Sequence, residues 1–302
     1  MGGSKAIPAS RDRSQSRALV LAAVPLLCWV GWGALRYASS AAQGGQVFLI
    51  TAGAISSLFG LAVWRLRAAT APAAACGTVI CFDISILSRR PGSASVFASG
   101  LAPLVLLFLL TYAATRFRRD RKTSGSSKEE KHGRNAAQVI ANLGVAAVAA
   151  AQYNWISHGV PPLLEATTSI FATSQIPMLA ALAEATADTL SSEIGQAAGG
   201  RPFLLLHWRR VTPGTDGAIS IAGTLAGIGG AAAIALIATP TMGIGMQGIR
   251  DIVLAGTAGL FVDSLLGATL ERVGWIGNDV VNFASTLFSA ALAYLLQQGT
   301  FR

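Results

Sequence analysis

The sequence predicts an all-α protein, a polytopic transmembrane helical bundle of roughly seven to nine spans. Three observations carry that prediction. Hydrophobic residues fill 52% of the 302 positions and charged residues only 12%, whereas a soluble domain carries about 25% charged residues. The mean hydropathy is +0.54. Uncharged runs such as Ala18–Leu35, Tyr37–Trp64, Val96–Thr115, Asn135–Leu164 and Ala218–Ile249 recur along the whole chain. About 20 apolar residues wound as a helix cross a bilayer with every backbone polar group satisfied internally.

Taken in order, residues 1–17 read as a polar, basic, disordered N-terminal tail. Residues 18–44 read as a first anchor helix and loop: Pro25, Trp29 and Trp32 suit a retained span better than a cleaved export signal. Residues 45–297 read as the integral membrane, catalytic-like domain. Its spans fall near 46–64, 70–87, 97–115, 136–155, 168–187, 218–239, 247–270 and 279–297. The span near 70–87, the third when the anchor helix is counted, is the weakest, because Pro72 and Asp83 interrupt it. Residues 116–134, with Thr123–Ser127 at their centre, read as a flexible solvated loop. Gly223 and Gly227 form a small-xxx-small pair suited to close helix packing.

The net charge of +9 is concentrated. Residues 1–17 hold Lys5, Arg11, Arg13 and Arg17 against Asp12, a net +3; residues 116–134 hold eight Lys/Arg against Asp120, Glu129 and Glu130, a net +5. Such blocks mark the cytoplasmic side, so the N-terminus is expected inside. No basic surface interleaved with aromatics accompanies the charge, and no nucleic-acid partner is expected. Cys28, Cys76 and Cys81 lie in apolar segments without metal-ligand spacing and read as ordinary thiols.

The stretch with most chemistry is Ala183–Gly217. Glu184, Asp188 and Ser192 recur every four residues on one helical face, with Thr189 and Glu193 on the adjacent stripe. Carboxylates at the edge of a hydrocarbon layer cost several kcal/mol unless paired, protonated or bound to a cation. Arg201, Arg209 and Arg210 follow, then the turn Thr212–Gly217, whose N–H groups and hydroxyls can face an anion. An acidic face beside a basic, Gly-containing turn suggests a divalent metal and a phosphate. Asp188-Thr-Leu is echoed by Asp263-Ser-Leu, which places both aspartates on one cavity. Glu184, Asp188, Glu193 and Asp263 are the metal-ligand candidates, because Mg²⁺ takes carboxylate and phosphate oxygens together. Asp251 pairs readily with Arg250, and Asp83 stands alone. No G-x-x-x-x-G-K-[ST] occurs and no lysine follows Lys131. A P-loop kinase is thereby excluded, so phosphate charge falls to arginine and metal.

Four motifs in order carry a resemblance: RNAAQVIAN (134–142), ATADTLSSEIG (185–195), TPGTDGAIS (212–220) and VDSLLGATLE (262–271), closed by Asn278 and Asn282. Over roughly residues 45–297 they resemble the integral-membrane family that contains transmembrane protein 19 and the phytyl-phosphate kinases of plants and cyanobacteria. More distantly the chain resembles dolichol-kinase and CDP-diacylglycerol-synthase type enzymes. The resemblance implies Mg²⁺-dependent phosphoryl transfer from CTP or another nucleoside triphosphate to an isoprenyl monophosphate in the bilayer. Carried over by motif, Asp188, Asp216 and Asp263 would be catalytic. Arg134, Asn142, Thr212, Gly214, Thr215, Gly217, Asn278 and Asn282 would bind substrate or nucleotide, with Arg201, Arg209 and Arg210 supplying further positive charge. The alternatives are an ion-coupled membrane transporter and a non-catalytic helical membrane protein.

Overall fold

The computed structural model describes residues 7–40, 45–90, 92–118, 133–155, 175–206 and 208–299. Among them are nine α-helices: α1 (Ala9–Ser40), α2 (Gly45–Arg65), α3 (Ala71–Leu87), α4 (Leu101–Arg116), α5 (Ala136–Trp155), α6 (Ile176–Ala197), α7 (Ile221–Met242), α8 (Met246–Leu266) and α9 (Asn278–Gln297). Five of them, α1, α2, α7, α8 and α9, are long and apolar enough to cross a membrane, and α3, α4 and α5 are shorter apolar helices. His132, His158, His207, the middle of the basic loop (119–132) and the start of the expected sixth span (168–174) lie outside the described residues.

Local chemistry explains where the helices begin and end. Pro72 stands in the first turn of α3 and Pro177 in the first turn of α6, where the missing N–H costs nothing. Pro72 therefore opens the third helix; it does not interrupt it. Asn135 and Gln138 form a reciprocal cap at the start of α5: Gln138 N–H donates to Asn135 Oδ1 at 3.0 Å, and Asn135 N–H donates to Gln138 Oε1 at 2.9 Å. Ser220 Oγ accepts from Gly223 N–H at 3.1 Å to start α7. Gly243, at φ 77°, ends α7 in the left-handed conformation.

One correction concerns the N-terminus. Residues 9–17, expected in a disordered tail, are the first turns of α1. They are tied to the loop before α9: an Arg11 guanidinium N–H donates to Gly274 O at 2.9 Å, and Gln15 Nε2 donates to Trp275 O at 2.8 Å. Gly277 N–H donates to Gln15 Oε1 at 2.9 Å, and Ser16 Oγ donates to Asp279 Oδ2 at 2.6 Å. Anchored polar groups override the low apolar content of that stretch.

α6 is the axis of the bundle, packed by α4, α5, α7, α8 and α9. Its first three turns are buried on every side, Met178 to Ala183 being fully enclosed, which is what a helix apolar all round demands. Small residues allow the close approach. A Cβ on Gly230 would lie 3.1 Å from Thr186 Cγ2 of α6, and one on Gly227 would lie 2.8 Å from Ala187 O. Gly223 and Gly227 are thus packing residues, as their spacing predicts, and Gly230 joins them. By contrast α1, α2 and α7 present large apolar side chains outward, among them Leu21, Ile50 and Ile221, the surface a bilayer covers.

Successive helices run in alternating directions. The start of α1, the ends of α2, α4, α6 and α8 and the starts of α3, α5, α7 and α9 share one face; the α1 start is placed there by its bonds to the α9 loop, the others by the cavity they line. Exposed Trp64, Trp208 and Trp275 ring this face, as interfacial tryptophans do. A two-stranded antiparallel pair, Phe203–Leu204 with Ala218–Ile219, is the only sheet among the described residues, and it braces the loop between α6 and α7.

Candidate functional site

On that face the helix ends enclose a cavity of about 630 Å³. Its wall divides into two chemistries. α5, α6, α8, α9 and the turn before α7 contribute polar and charged groups; α2, α3 and α4 contribute mainly apolar ones.

The polar wall is built on the last turns of α6. Asp188, Thr189, Ser192 and Glu193 border the cavity, the result of two neighbouring four-residue rows on one helix. Thr115 Oγ1 of α4 donates to Glu193 Oε1 at 3.2 Å. Asp263 reaches the same space from α8, so the two echoed aspartates do border one cavity. Ser285 Oγ of α9 donates to Asp263 Oδ2 at 3.4 Å. After Leu266 the chain widens into a π-helical segment, Gly267–Glu271, a distortion that often marks functional sites. The segment brings Glu271 to the cavity.

Arg134 is held from two directions. Its backbone is stitched to the segment before α3, Arg134 N–H donating to Ala68 O at 2.9 Å and Thr70 N–H to Arg134 O at 3.0 Å. Its guanidinium donates to Thr189 Oγ1 at 3.2 Å. Burial pulls its pKa down from the ordinary arginine value, and nearby Glu193 and Asp188 oppose that pull; it stays a cation. Gly133 makes this course possible. At φ 77° it is left-handed, and a Cβ there would lie 2.7 Å from the backbone of Ala68 and Ala69. Asn142 lines the cavity two turns further along α5, its Nδ2 donating to Gln138 O at 2.8 Å.

The turn closes the polar end. Thr215 Oγ1 donates to Thr212 O at 2.7 Å, and Ala218 N–H donates to Thr215 O at 3.0 Å. Gly217, at φ 70°, lies so close to the π segment that a Cβ would run into Ala268 N and Ser264 O. Backbone-to-backbone packing therefore fixes the turn and aims Asp216 at the cavity. Burial raises the Asp216 pKa above the usual carboxylate value, and Arg272 opposes the shift.

Gly214, Thr215, Asp216, Gly217, Asn278 and Asn282 all border the cavity, alongside Arg134, Asn142, Asp188, Glu193 and Asp263. Other expected residues do not. Arg201, Arg209 and Arg210 are exposed and lie off the cavity wall, as does Thr212. The β pair carries the loop's arginines outward beside exposed Trp208. Glu184 lies behind the wall, one turn deeper than Asp188 and only 1% exposed, pressed against Gly259 of α8. Its Oε1 has no hydrogen-bond partner. The cations that do border the cavity, besides Arg134, are Arg67 and Arg116. Their positions in basic clusters point to topology and conceal this second role. Glu271, at the end of a quoted motif, also escaped the sequence reading.

Five carboxyl groups, Asp188, Glu193, Asp216, Asp263 and Glu271, thus face three arginines around one space. Among the described residues no three His, Cys, Asp or Glu side chains converge as a ready-made metal cage. The donors are nevertheless all carboxylate oxygens, which select hard cations. Asp251 is occupied elsewhere, paired with Arg250 at 2.9 Å. The cysteines are free thiols.

Comparison with known proteins follows the same lines. An uncharacterized membrane protein of Methanocaldococcus jannaschii is 39% identical over 149 residues, 47% of this chain and 60% of the relative. The Arabidopsis thaliana protein VTE6, chloroplastic, is 27% identical over 204 residues, 67% of this chain and 59% of that protein. Protein PGR of the same plant is 28% identical over 195 residues, 60% of this chain and 68% of that protein. The chain thus spans about 60% of the length of the archaeal and chloroplast relatives. No solved structure matches it significantly. The model of the family described as Integral membrane protein DUF92 matches residues 54–290, and with the helices and motifs already described this establishes the chain as a multi-pass integral membrane protein of that family.

Proposed function

We propose that the protein is an isoprenyl-monophosphate kinase, moving the terminal phosphoryl group of CTP or another nucleoside triphosphate onto a prenyl phosphate. One observation carries the reading: a single cavity with a charged end and an apolar end, opening at one face of a membrane bundle. That shape suits an acceptor with an anionic head and a hydrocarbon tail. The resemblance to phytyl-phosphate kinases supports the same substrate class.

In the reaction the bond between the donor's terminal phosphorus and its bridging oxygen breaks. A bond forms from that phosphorus to an oxygen of the acceptor phosphate, leaving a nucleoside diphosphate and a prenyl diphosphate. The attacking oxygen is already ionised near neutral pH, so no strong base is required. What the protein must supply is alignment and neutralisation of charge. Arg134, Arg67 and Arg116 would offset phosphate charge from the rim. The turn at Gly214–Gly217 would present backbone N–H groups, and Asn278 and Asn282 would add amide donors. Mg²⁺, held by Asp188, Glu193 and Asp263 together with phosphate oxygens, would supply electrostatic stabilisation of the transferring group. The acidic wall is not a complete cage by itself, so these carboxylates would hold the ion only jointly with the bound nucleotide.

The shared face also favours a cytoplasmic site. It is where the basic segments 1–17 and 116–134 join the bundle, and positive segments stay inside. The test is purified protein incubated with CTP or ATP, Mg²⁺ and a panel of prenyl monophosphates. Prenyl diphosphate is the expected product. Folded protein that forms none, yet moves a labelled solute across proteoliposomes, would replace the kinase with a carrier.

A further inference from the structure

Resting on that acceptor reading, we propose that the gap between α2 and α4 is the lateral portal for the prenyl tail, gated by Phe59 and Phe108, with Gly77 at the back wall setting how bulky a tail can enter. A cavity of about 630 Å³ falls in the roughly 300–1,000 Å³ range that encloses one drug-sized ligand. It cannot enclose a nucleotide and a long hydrocarbon chain together. The tail must leave the cavity, and it can do so only toward lipid.

The packing shows where. α2 packs on α1 and α3, and α4 packs on α3, α6 and α7; no extensive α2–α4 interface exists among the described residues. Yet both helices line the apolar end, α2 through Phe59 and Val63 and α4 through Leu104, Leu107 and Phe108. What spans the gap is an edge-on aromatic pair, Phe59 and Phe108, with ring centroids 5.1 Å apart. Both side chains are part-exposed, and both border the cavity. Two phenylalanine rings can swing aside by side-chain rotation, with no helix displaced. Phe108 also stacks on Tyr112, and the Arg116 guanidinium lies 4.3 Å from the Tyr112 ring centroid. One face of α4 therefore grades from hydrocarbon contact to a cation, in the order a prenyl phosphate requires.

Gly77 lies across from this gate on α3. It borders the cavity, and a Cβ built on it would meet nothing nearer than Val139 Cγ1 at 4.0 Å. A side chain there would fill open space. Its neighbour on the wall, Gly60, is different: a Cβ would strike the Thr78 hydroxyl, so that glycine holds α2 against α3.

The test uses the full chain in phosphatidylcholine vesicles and a prenyl monophosphate carrying a benzophenone at the far end of its tail. Illumination should attach the probe to α2 and α4 around Phe59, Val63, Leu104 and Phe108, and unlabelled prenyl phosphate should compete. In Gly77→Phe the labelling should fall about tenfold, equivalent to roughly 1.4 kcal/mol, while Gly77→Ala keeps it. Competable labelling that maps to α8 or α9, or that Gly77→Phe leaves unchanged, overturns the portal while the acceptor reading stands. No competable labelling anywhere overturns both. Mapping on the unsubstituted protein decides the portal even if Gly77→Phe does not fold.

Discussion

The two walls of the cavity differ in how they are held. The acidic wall belongs to the most enclosed part of the molecule: α6 sits at the axis, Gly227 and Gly230 bring α7 onto it, and Gly217 seats the turn against the π segment backbone to backbone. The apolar wall is made of peripheral helices, with α2 outward-facing along much of its length and touching α4 at the Phe59–Phe108 pair. The difference has a physical reason. Charge inside a membrane is tolerable only where partners are fixed, since each misplaced ångström returns the desolvation penalty. Hydrocarbon contact is non-directional, so the wall that meets a tail can be loosely tied and still work.

If the acidic wall carries the chemistry, the largest effect belongs to Asp188. Asp188→Asn should lower prenyl-phosphate turnover by roughly 10²–10³-fold, the cost of losing one electrostatic group at a reacting centre, while the protein still elutes as a folded species. Unchanged turnover would take Asp188 out of the mechanism. Rigidity is tested next, by two left-handed glycines of the same loop. Gly217→Ala forces a Cβ into Ala268 and Ser264, whereas Gly199, at φ 66°, has nothing within 4 Å. The first should lower stability by more than the roughly 1–3 kcal/mol of backbone strain alone, read as a lower thermal midpoint in detergent; Gly199→Ala should stay within that range.

A smaller effect concerns pH. Burial raises the Asp216 pKa against the opposing pull of Arg272, so its negative charge is lost at a higher pH than for an ordinary aspartate. If the charged form is the working one, activity should fall on acidification already above the usual carboxylate range. In Asp216→Asn that limb should disappear or move to lower pH, as a pH–rate profile would show. The smallest effect is expected at Arg201 and Arg209, which lie outside both walls. Arg201→Ala and Arg209→Ala should change turnover by no more than about 0.5 kcal/mol, the usual range for surface substitutions. A large loss in the same assay would mean that the loop closes over the cavity when substrate binds.

The outcome at these arginines shows where sequence reasoning stops. Asp188, Glu193 and Asp263 were legible because a carboxylate in an apolar run must be paired, protonated or bound to a cation; the same reasoning also picked Glu184, which stands behind the wall. That Asp188 and Asp263 border one cavity was inferred from a three-residue echo, and the fold brings it about. Arg116 was taken for topogenic charge as part of the 116–134 block, since nothing in its neighbourhood distinguishes an arginine that borders a cavity from one that faces solvent. Arg201, Arg209 and Arg210 were taken for phosphate ligands because they adjoin the turn in sequence; the β pair sends them the other way. Residues 9–17 looked disordered because their partners, Gly274, Trp275 and Asp279, lie 260 or more positions away.

By itself the sequence determined that the chain lives in a bilayer as packed helices, where its basic blocks lie, and which acids are out of place. Those properties follow from composition and from periods of a few residues. The tertiary structure alone decided which acids share a space, that Glu184 stands behind the wall, which cations face the site, and that one end of the cavity is apolar. These depend on how far separate helices approach and rotate toward each other, and that is fixed by contacts between residues far apart in the chain, such as Arg134 with Thr189 and Thr115 with Glu193.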